Sequence, residues 1–198
     1  GLTLGGGTGY LSRKFGLTLD SLISVEIVTA DGSMQTANDT ENKDLFWAVR
    51  GGGGNFGIVT SFKFRLHKVG RQVLSFQAYF PFGESQLVLE NYRNFMKNAP
   101  EEIQCYAFFL NVPPVEPFPV AYYGKTTCAL VACYSGDPEV GRELLEPLNS
   151  LGNPILRFQQ KMNYVDIQKS FDAGMPKELR WFSRANYLMK LSDSNIST

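Results

Sequence analysis

The run "GIVTSFKFRLHKV" alternates through its middle, with Phe62, Phe64 and Leu66 on one side and Ser61, Lys63 and Arg65 on the other. A period of two marks a strand with one wet face, so this stretch is expected to be half-buried with Phe62, Phe64 and Leu66 inward. Upstream, "LISVEIVTADGSMQT" places two short β-rich runs on either side of Asp31-Gly32, a hairpin signal. Between the hairpin and the strand the period changes. In "ENKDLFWAVRG", Leu45, Phe46, Ala48 and Val49 recur at near-helical spacing and Gly51 ends the run, which predicts a short helix. Trp47 is expected in the core, packing that helix onto the sheet. Arg50 is open to two readings, counter-charge to a phosphate or a cation at the helix end.

Past residue 70 the pattern is different. A strand from Gln72 to Phe80 leads into a helix with Val88, Tyr92, Phe95 and Met96 on one face, stopped by Pro100. Two strands follow, Ile103–Val112 and Thr126–Tyr134, separated by "PPVEPFP". Asp137-Pro138 reads as the cap and first turn of a helix over "PEVGRELLEPLNSLG". A short extended stretch near Leu156, a helix near Tyr164–Phe171 and a strand at Trp181–Met189 complete the order. This predicts an α+β fold in which an antiparallel sheet is covered by helices on one side. The other face is expected to need a partner, with Tyr106, Phe108, Trp181 and Tyr187 as wall material. Tyr164 and Gln168, one turn apart, read only as a helix face. No carboxylate stands within these strand runs, so no catalytic base is assigned to this part.

Composition sharpens the boundary and narrows the partners. Glycine dominates the early part, whereas all ten prolines lie beyond residue 80. The boundary is placed at Gly70, giving segments 1–70 and 71–198. Nineteen basic residues balance nineteen acidic ones, so no overall field favours nucleic acid or an anionic membrane. No apolar run approaches the roughly 20 residues that span a bilayer. Cys128 and Cys133 lie on one strand at odd spacing, so they face opposite ways and cannot pair with each other. Cys105 could meet one of them across strands; three buried thiols are the expectation. The cytoplasm is the favoured compartment, with secretion left open.

The chemistry lies in two glycine clusters. "GLTLGGGTGYLSRKFG" carries five glycines in its first nine residues. The dinucleotide fingerprint needs glycines at its first, third and sixth positions; counted from Gly5 the sixth is Tyr10, and from Gly7 it is Ser12. Neither cluster meets the P-loop pattern either. What remains is a loop of bare amides, suited to a pyrophosphate, a flat ring or simply a tight turn. The second cluster, "RGGGGNFGIVTSF", suggests that the two are walls of one ligand site.

These two motifs, in this order, resemble the second half of the flavin domain of PCMH-type FAD-linked oxidases, in the berberine-bridge-enzyme-like branch. The resemblance covers 1–70 nearly without a gap; "FPFG", "ACYSGDP" and "NYVDIQ" resemble the start of that family's substrate domain. It implies FAD as cofactor, no metal, and backbone contacts to flavin and pyrophosphate from Gly1, Leu2, Gly5, Gly6, Gly7, Thr8 and Gly9. Leu11 and Gly16 would line the same cleft, and Gly57, Ile58 and Val59 the adenine end. Tyr106, Phe108, Trp181 and Ser183 lie on strands that in relatives roof the flavin; the first three are candidate substrate contacts. The implied activity is oxidation of an alcohol or amine carbon of a small molecule by hydride transfer to flavin N5, with dioxygen as acceptor. A flavin-free binding module or an inactive relative is the alternative. Family members tether the flavin through a histidine and a cysteine that have no counterpart here; His67, the sole histidine, reads as a strand-end surface residue. The chain is therefore expected to be a middle piece that is inactive alone and binds FAD weakly without the preceding half of the flavin domain. A homo-oligomer is left open.

Overall fold

A computed structural model describes residues 1–172, 180, 182 and 184–197. The chain divides into two compact units, Gly1–Val69 and Gly70–Thr198.

The first unit is built on a three-stranded antiparallel sheet, β1 (Leu22–Val28), β2 (Met34–Asn38) and β3 (Ile58–Phe64), in the order β2-β1-β3. The β1–β2 hairpin forms around Asp31-Gly32 as its sequence predicts, with Val28 opposite Met34 and Gly32 at φ 79°. Asp31 Oδ1 accepts from Thr29 Oγ1, Ser33 N and Ser33 Oγ at 2.6, 3.1 and 2.8 Å. Those donors favour the charged form and lower the carboxyl pKa from 3.8 to about 2. A four-residue helix, α1 (Ser12–Phe15), precedes the sheet, and α2 (Lys43–Val49) packs on it. Phe46 and Val49 join Leu22, Val25, Ile27 and Ala37 in one core.

Two expectations fail here. Trp47 is 78% exposed. A helix this short offers one buried stripe, which Phe46 and Val49 occupy; the next position, rotated by about 100°, faces water. On β3, Phe64 packs against the core, but Phe62 is exposed and rests on the Phe64 ring at 5.9 Å. Leu66 lies past the strand end and is 90% exposed. Alternation announced the strand correctly, but β3 is an edge strand and α2 covers only part of its inward face.

The second unit is a four-stranded antiparallel sheet in the order β5-β6-β4-β7, from β4 (Gln72–Pro81), β5 (Ile103–Asn111), β6 (Thr126–Tyr134) and β7 (Leu156–Asn163). On one face, Leu74, Phe76, Ala78 and Phe80 meet Cys128, Leu130, Ala132 and Tyr134. Val88 of α3 (Ser85–Asn98) closes this core, with Leu145 and Leu148 flanking and entering α5 (Glu146–Asn149). Asp137 caps α4 (Pro138–Leu144) through Glu139 N at 3.0 Å, as its sequence predicts. Gly141 lets α4 press on the sheet: a Cβ there would lie 2.4 Å from the Tyr134 ring. The single helix expected over this stretch is two, because Pro147 cannot donate to the preceding turn and instead sits in the first turn of α5.

The sheet's second face differs from expectation. Val73, Ser75, Gln77, Tyr79, Ala129, Val131 and Cys133 all point there and all are buried. Within the unit it is covered by α6 (Tyr164–Gln168), by Phe118 edge-on to Tyr79 at 4.9 Å, and by Phe171 against Phe108 at 5.6 Å. It is not a bare aromatic face. β7 is a full strand paired along β4 rather than a short extension. The strand expected at Trp181–Met189 is not formed by its described residues: 182 and 184–189 are exposed and outside any strand, and Tyr187 is 99% exposed. Trp181 and Ser183 lie outside the described residues. The unit closes with α7 (Asp193–Ser197).

Candidate functional site

The opening glycine loop is an organised backbone structure. A 3-10 turn at Thr3–Gly5 runs into Gly6 and Gly7 at φ 114° and 83°, then α1, then a second 3-10 turn at Thr18–Ser21. The second turn holds the loop from behind: Leu19 N donates to Gly6 O at 3.0 Å and Thr18 N to Gly7 O at 2.8 Å. Thr18 Oγ1 adds a bond to the same Gly7 carbonyl at 3.1 Å. Gly9 N donates to Ser12 Oγ at 2.8 Å, tying the loop to α1.

The two glycine clusters are in direct contact. Leu4 O accepts from both Gly51 N and Gly53 N, at 3.1 and 2.9 Å. Asn55 Nδ2 closes the second cluster by donating to Gly52 O at 2.7 Å. The second cluster is thus a buttress to the first, a role its composition does not announce.

The glycines sort by what a side chain would meet. At Gly7 a Cβ would lie 2.5 Å from Thr18 Oγ1, at Gly16 2.6 Å from Asp20 Oδ2, and at Gly57 2.3 Å from Val28 O, each with positive φ. Gly6 has room but is buried at positive φ. Those four are demanded by the chain's own packing or backbone conformation. Gly5 and Gly9 differ: nothing lies within 4 Å of a Cβ there, and neither has positive φ. The fold does not need glycine at these positions, and the space before them suits a group lying against the backbone. Thr8 and Leu2 are exposed beside it and Leu11 is half-buried. Ile58 is 74% exposed at the start of β3, whereas Val59 packs into the same core as Leu4.

Arg50 stands at the C-terminal end of α2, the second of its two readings, with its N–H bonded to Trp47 O. Its guanidinium lies over the Phe46 ring, 5.3 Å from the centroid, and 3.8 Å from Asp20. His67 is exposed but engaged, stacked on Phe15 at 4.3 Å with Nε2 2.8 Å from Ser21 Oγ. The triplet Gly124-Lys125-Thr126 does occur in the chain, but Pro119 stands where a P-loop has its first glycine, and β6 rather than a helix follows.

In the second unit, Tyr106 and Phe108 are half-buried on the sheet's second face, their rings 5.8 Å apart. They belong to a polar and aromatic band that sequence reasoning missed. Ser75 Oγ is buried with no hydrogen-bond partner among the described residues, and Tyr79 OH donates to Gln77 Oε1 at 2.9 Å. Gln168 Nε2 donates to Tyr164 OH at 2.9 Å. Burial raises the Tyr164 pKa, and proximity to Cys133 and Tyr106 raises it further, so its phenol is a hydrogen-bond donor at neutral pH. A signal existed: Ser75, Gln77 and Tyr79 put a polar atom at every second position of an otherwise apolar strand. Burial pushes Cys128 and Cys133 up to about 11 and about 12, so both stay as thiols, and none of the three cysteines forms a disulfide. Elsewhere in this unit, an open groove of about 520 Å³ is lined by Arg93, Lys97, Lys190, Leu191, Ser192 and Asp193.

No protein-family model matches the sequence. An FAD-linked oxidoreductase of Dictyostelium discoideum is 32% identical over 199 aligned positions, which take in 99% of this chain and 40% of that protein. Among solved structures, the BBE-like 1 protein of Physcomitrella patens matches 90% of this chain and 36% of its own at 30% identity and a TM-score of 0.69. The xylooligosaccharide oxidase of Myceliophthora thermophila, solved with xylobiose, matches 83% of this chain and 33% of its own at 29% identity and a TM-score of 0.64. The chain thus spans between a third and two fifths of the length of these relatives. Over nearly its whole length, by sequence and by fold, the chain is similar to FAD-linked oxidoreductases and to BBE-like proteins, and corresponds to a part of each.

Proposed function

We propose that this chain is the part of an FAD-dependent oxidase that offers the glycine-loop wall of the cofactor site and a substrate-binding sheet. The observation that carries the reading is the open space before Gly5 and Gly9, in a loop where Gly6, Gly7 and Gly16 are accounted for by packing or by positive φ. Unmasked backbone at these points can approach a pyrophosphate or a ring to hydrogen-bond distance, which any side chain would prevent. Gly1, Leu2, Gly5–Gly9, Leu11 and Gly16 would hold the cofactor's flavin and pyrophosphate, with Gly57–Val59 toward its adenine. When bound, FAD supplies the acceptor for a hydride from an alcohol or amine carbon, and dioxygen is the proposed final oxidant.

The chain's own residues do the positioning. Tyr106 and Phe108 offer apolar walls, and Trp181 is retained as a candidate from the sequence. Tyr164, held by Gln168, offers a hydroxyl donor beside them. The half-buried Tyr164 hydroxyl and the exposed Gln168 amide beside these rings suit a substrate rich in hydroxyls, and relatives include a protein named xylooligosaccharide oxidase. We place no catalytic base in this chain.

The test is Gly5→Val in the intact protein, followed by the visible flavin spectrum and thermal melting. A Cβ at Gly5 has no atom of the chain within 4 Å, so melting of the flavin-free form is expected to be unchanged while bound flavin is lost. Stoichiometric flavin in the variant would refute the cofactor assignment.

A further inference from the structure

The loop that offers its backbone is held in shape by contacts on the side away from the open space, and these converge on one carboxylate. Asp20 Oδ2 accepts from Leu17 N at 2.8 Å. That bond sets the start of the turn whose next two amides, Thr18 N and Leu19 N, hold the Gly7 and Gly6 carbonyls. The same carboxylate fills the space beside Gly16, where a Cβ would touch Oδ2. Its other oxygen, Oδ1, faces Arg50 Nη2 at 3.8 Å. Arg50 in turn lies on Phe46, a core residue of α2, and the amides following it, Gly51 N and Gly53 N, bind Leu4 O at the root of the loop. Arg50 Nε is shielded from solvent with no acceptor among the described residues, so the guanidinium has Asp20 as its charged neighbour and Phe46 as its platform.

We infer that Asp20 and Arg50 form a latch that fixes the glycine loop onto α2, making both positioning residues for the cofactor although neither borders the open space. The inference rests on the proposed cofactor role of the loop. An ion pair at this exposure is individually weak, worth a factor of about two to five. Its leverage comes from what it holds: Leu17, Thr18 and Leu19 act in series on Gly6 and Gly7, so slack at Asp20 reaches the amides that must meet the cofactor together.

The variants Asp20→Asn and Arg50→Met separate the parts. Asn retains an acceptor for Leu17 N and removes the charge, whereas Met retains apolar cover on Phe46 and removes the guanidinium. In the intact flavoprotein each is expected to weaken FAD affinity about fivefold, with the double variant no weaker than the singles, because both break one coupling. Arg50→Lys should recover part of the loss. Amide exchange in the flavin-free protein should speed up at Leu17, Thr18 and Leu19 in both single variants. Unchanged exchange at those amides, or additive losses of affinity, would overturn the latch. Faster exchange in the variants, together with a wild-type protein that takes up no FAD, would retain the latch and sink the cofactor reading alone. Should Arg50→Met fail to fold, Asp20→Asn with the same exchange measurement decides the question.

Discussion

Two alanine substitutions, two residues apart in the same loop, should behave oppositely. At Gly7 the backbone sits at φ 83°, where an L-residue costs about 1–2 kcal/mol. The new Cβ would also stand 2.5 Å from Thr18 Oγ1 and push it off the Gly7 carbonyl it now binds at 3.1 Å. Losing that bond adds about 0.5–1.5 kcal/mol. Gly7→Ala should therefore destabilise the first unit by about 1.5–3.5 kcal/mol. At Gly5 neither cost applies, and the stiffer unfolded chain should make Gly5→Ala neutral or stabilising by up to about 1 kcal/mol. Denaturant unfolding of the flavin-free protein measures both. Because the chain has two units, the transition of the first should be fitted separately. Equal destabilisation by the two substitutions would refute the division between glycines kept by the fold and glycines facing open space.

Tyr106→Ala and Phe108→Ala should raise the KM of the intact enzyme while leaving the rate of flavin reduction at saturation within about threefold, as expected of groups that bind without reacting; a loss of several orders of magnitude in that rate would show otherwise. Asp31 has a depressed folded pKa of about 2, so its contribution to the hairpin is complete above the unfolded value of 3.8 and is lost as pH falls through about 2. Asp31→Ala should flatten the stability of the first unit over that acid window, and an unchanged slope would count against the Thr29 and Ser33 bonds. Cys128 and Cys133, buried thiols with raised pKa, should resist a thiol reagent at neutral pH until the protein unfolds, and fast labelling of the native state would contradict their burial.

Local rules of the chain were enough for the elements. Asp31-Gly32 between two β-rich runs, the period of three to four in Leu45–Val49, Pro138 behind Asp137, and Pro100 after α3 each act over a few residues, so they are legible in order along the sequence. The two glycine motifs likewise sufficed to point to the family. What covers a given face was not legible, because it depends on segments far away in the chain. Trp47 looks like core until Phe46 and Val49 take the only buried stripe of α2. Leu66 looks inward until β3 proves to be an edge strand that ends at Phe64. The second face of the larger sheet looks bare until α6, Phe118 and Phe171 fold over it. The same reason divides the glycines: composition counts Gly5 and Gly7 alike, and only the position of Thr18, brought back eleven residues later, shows that one is held by the fold and the other faces open space.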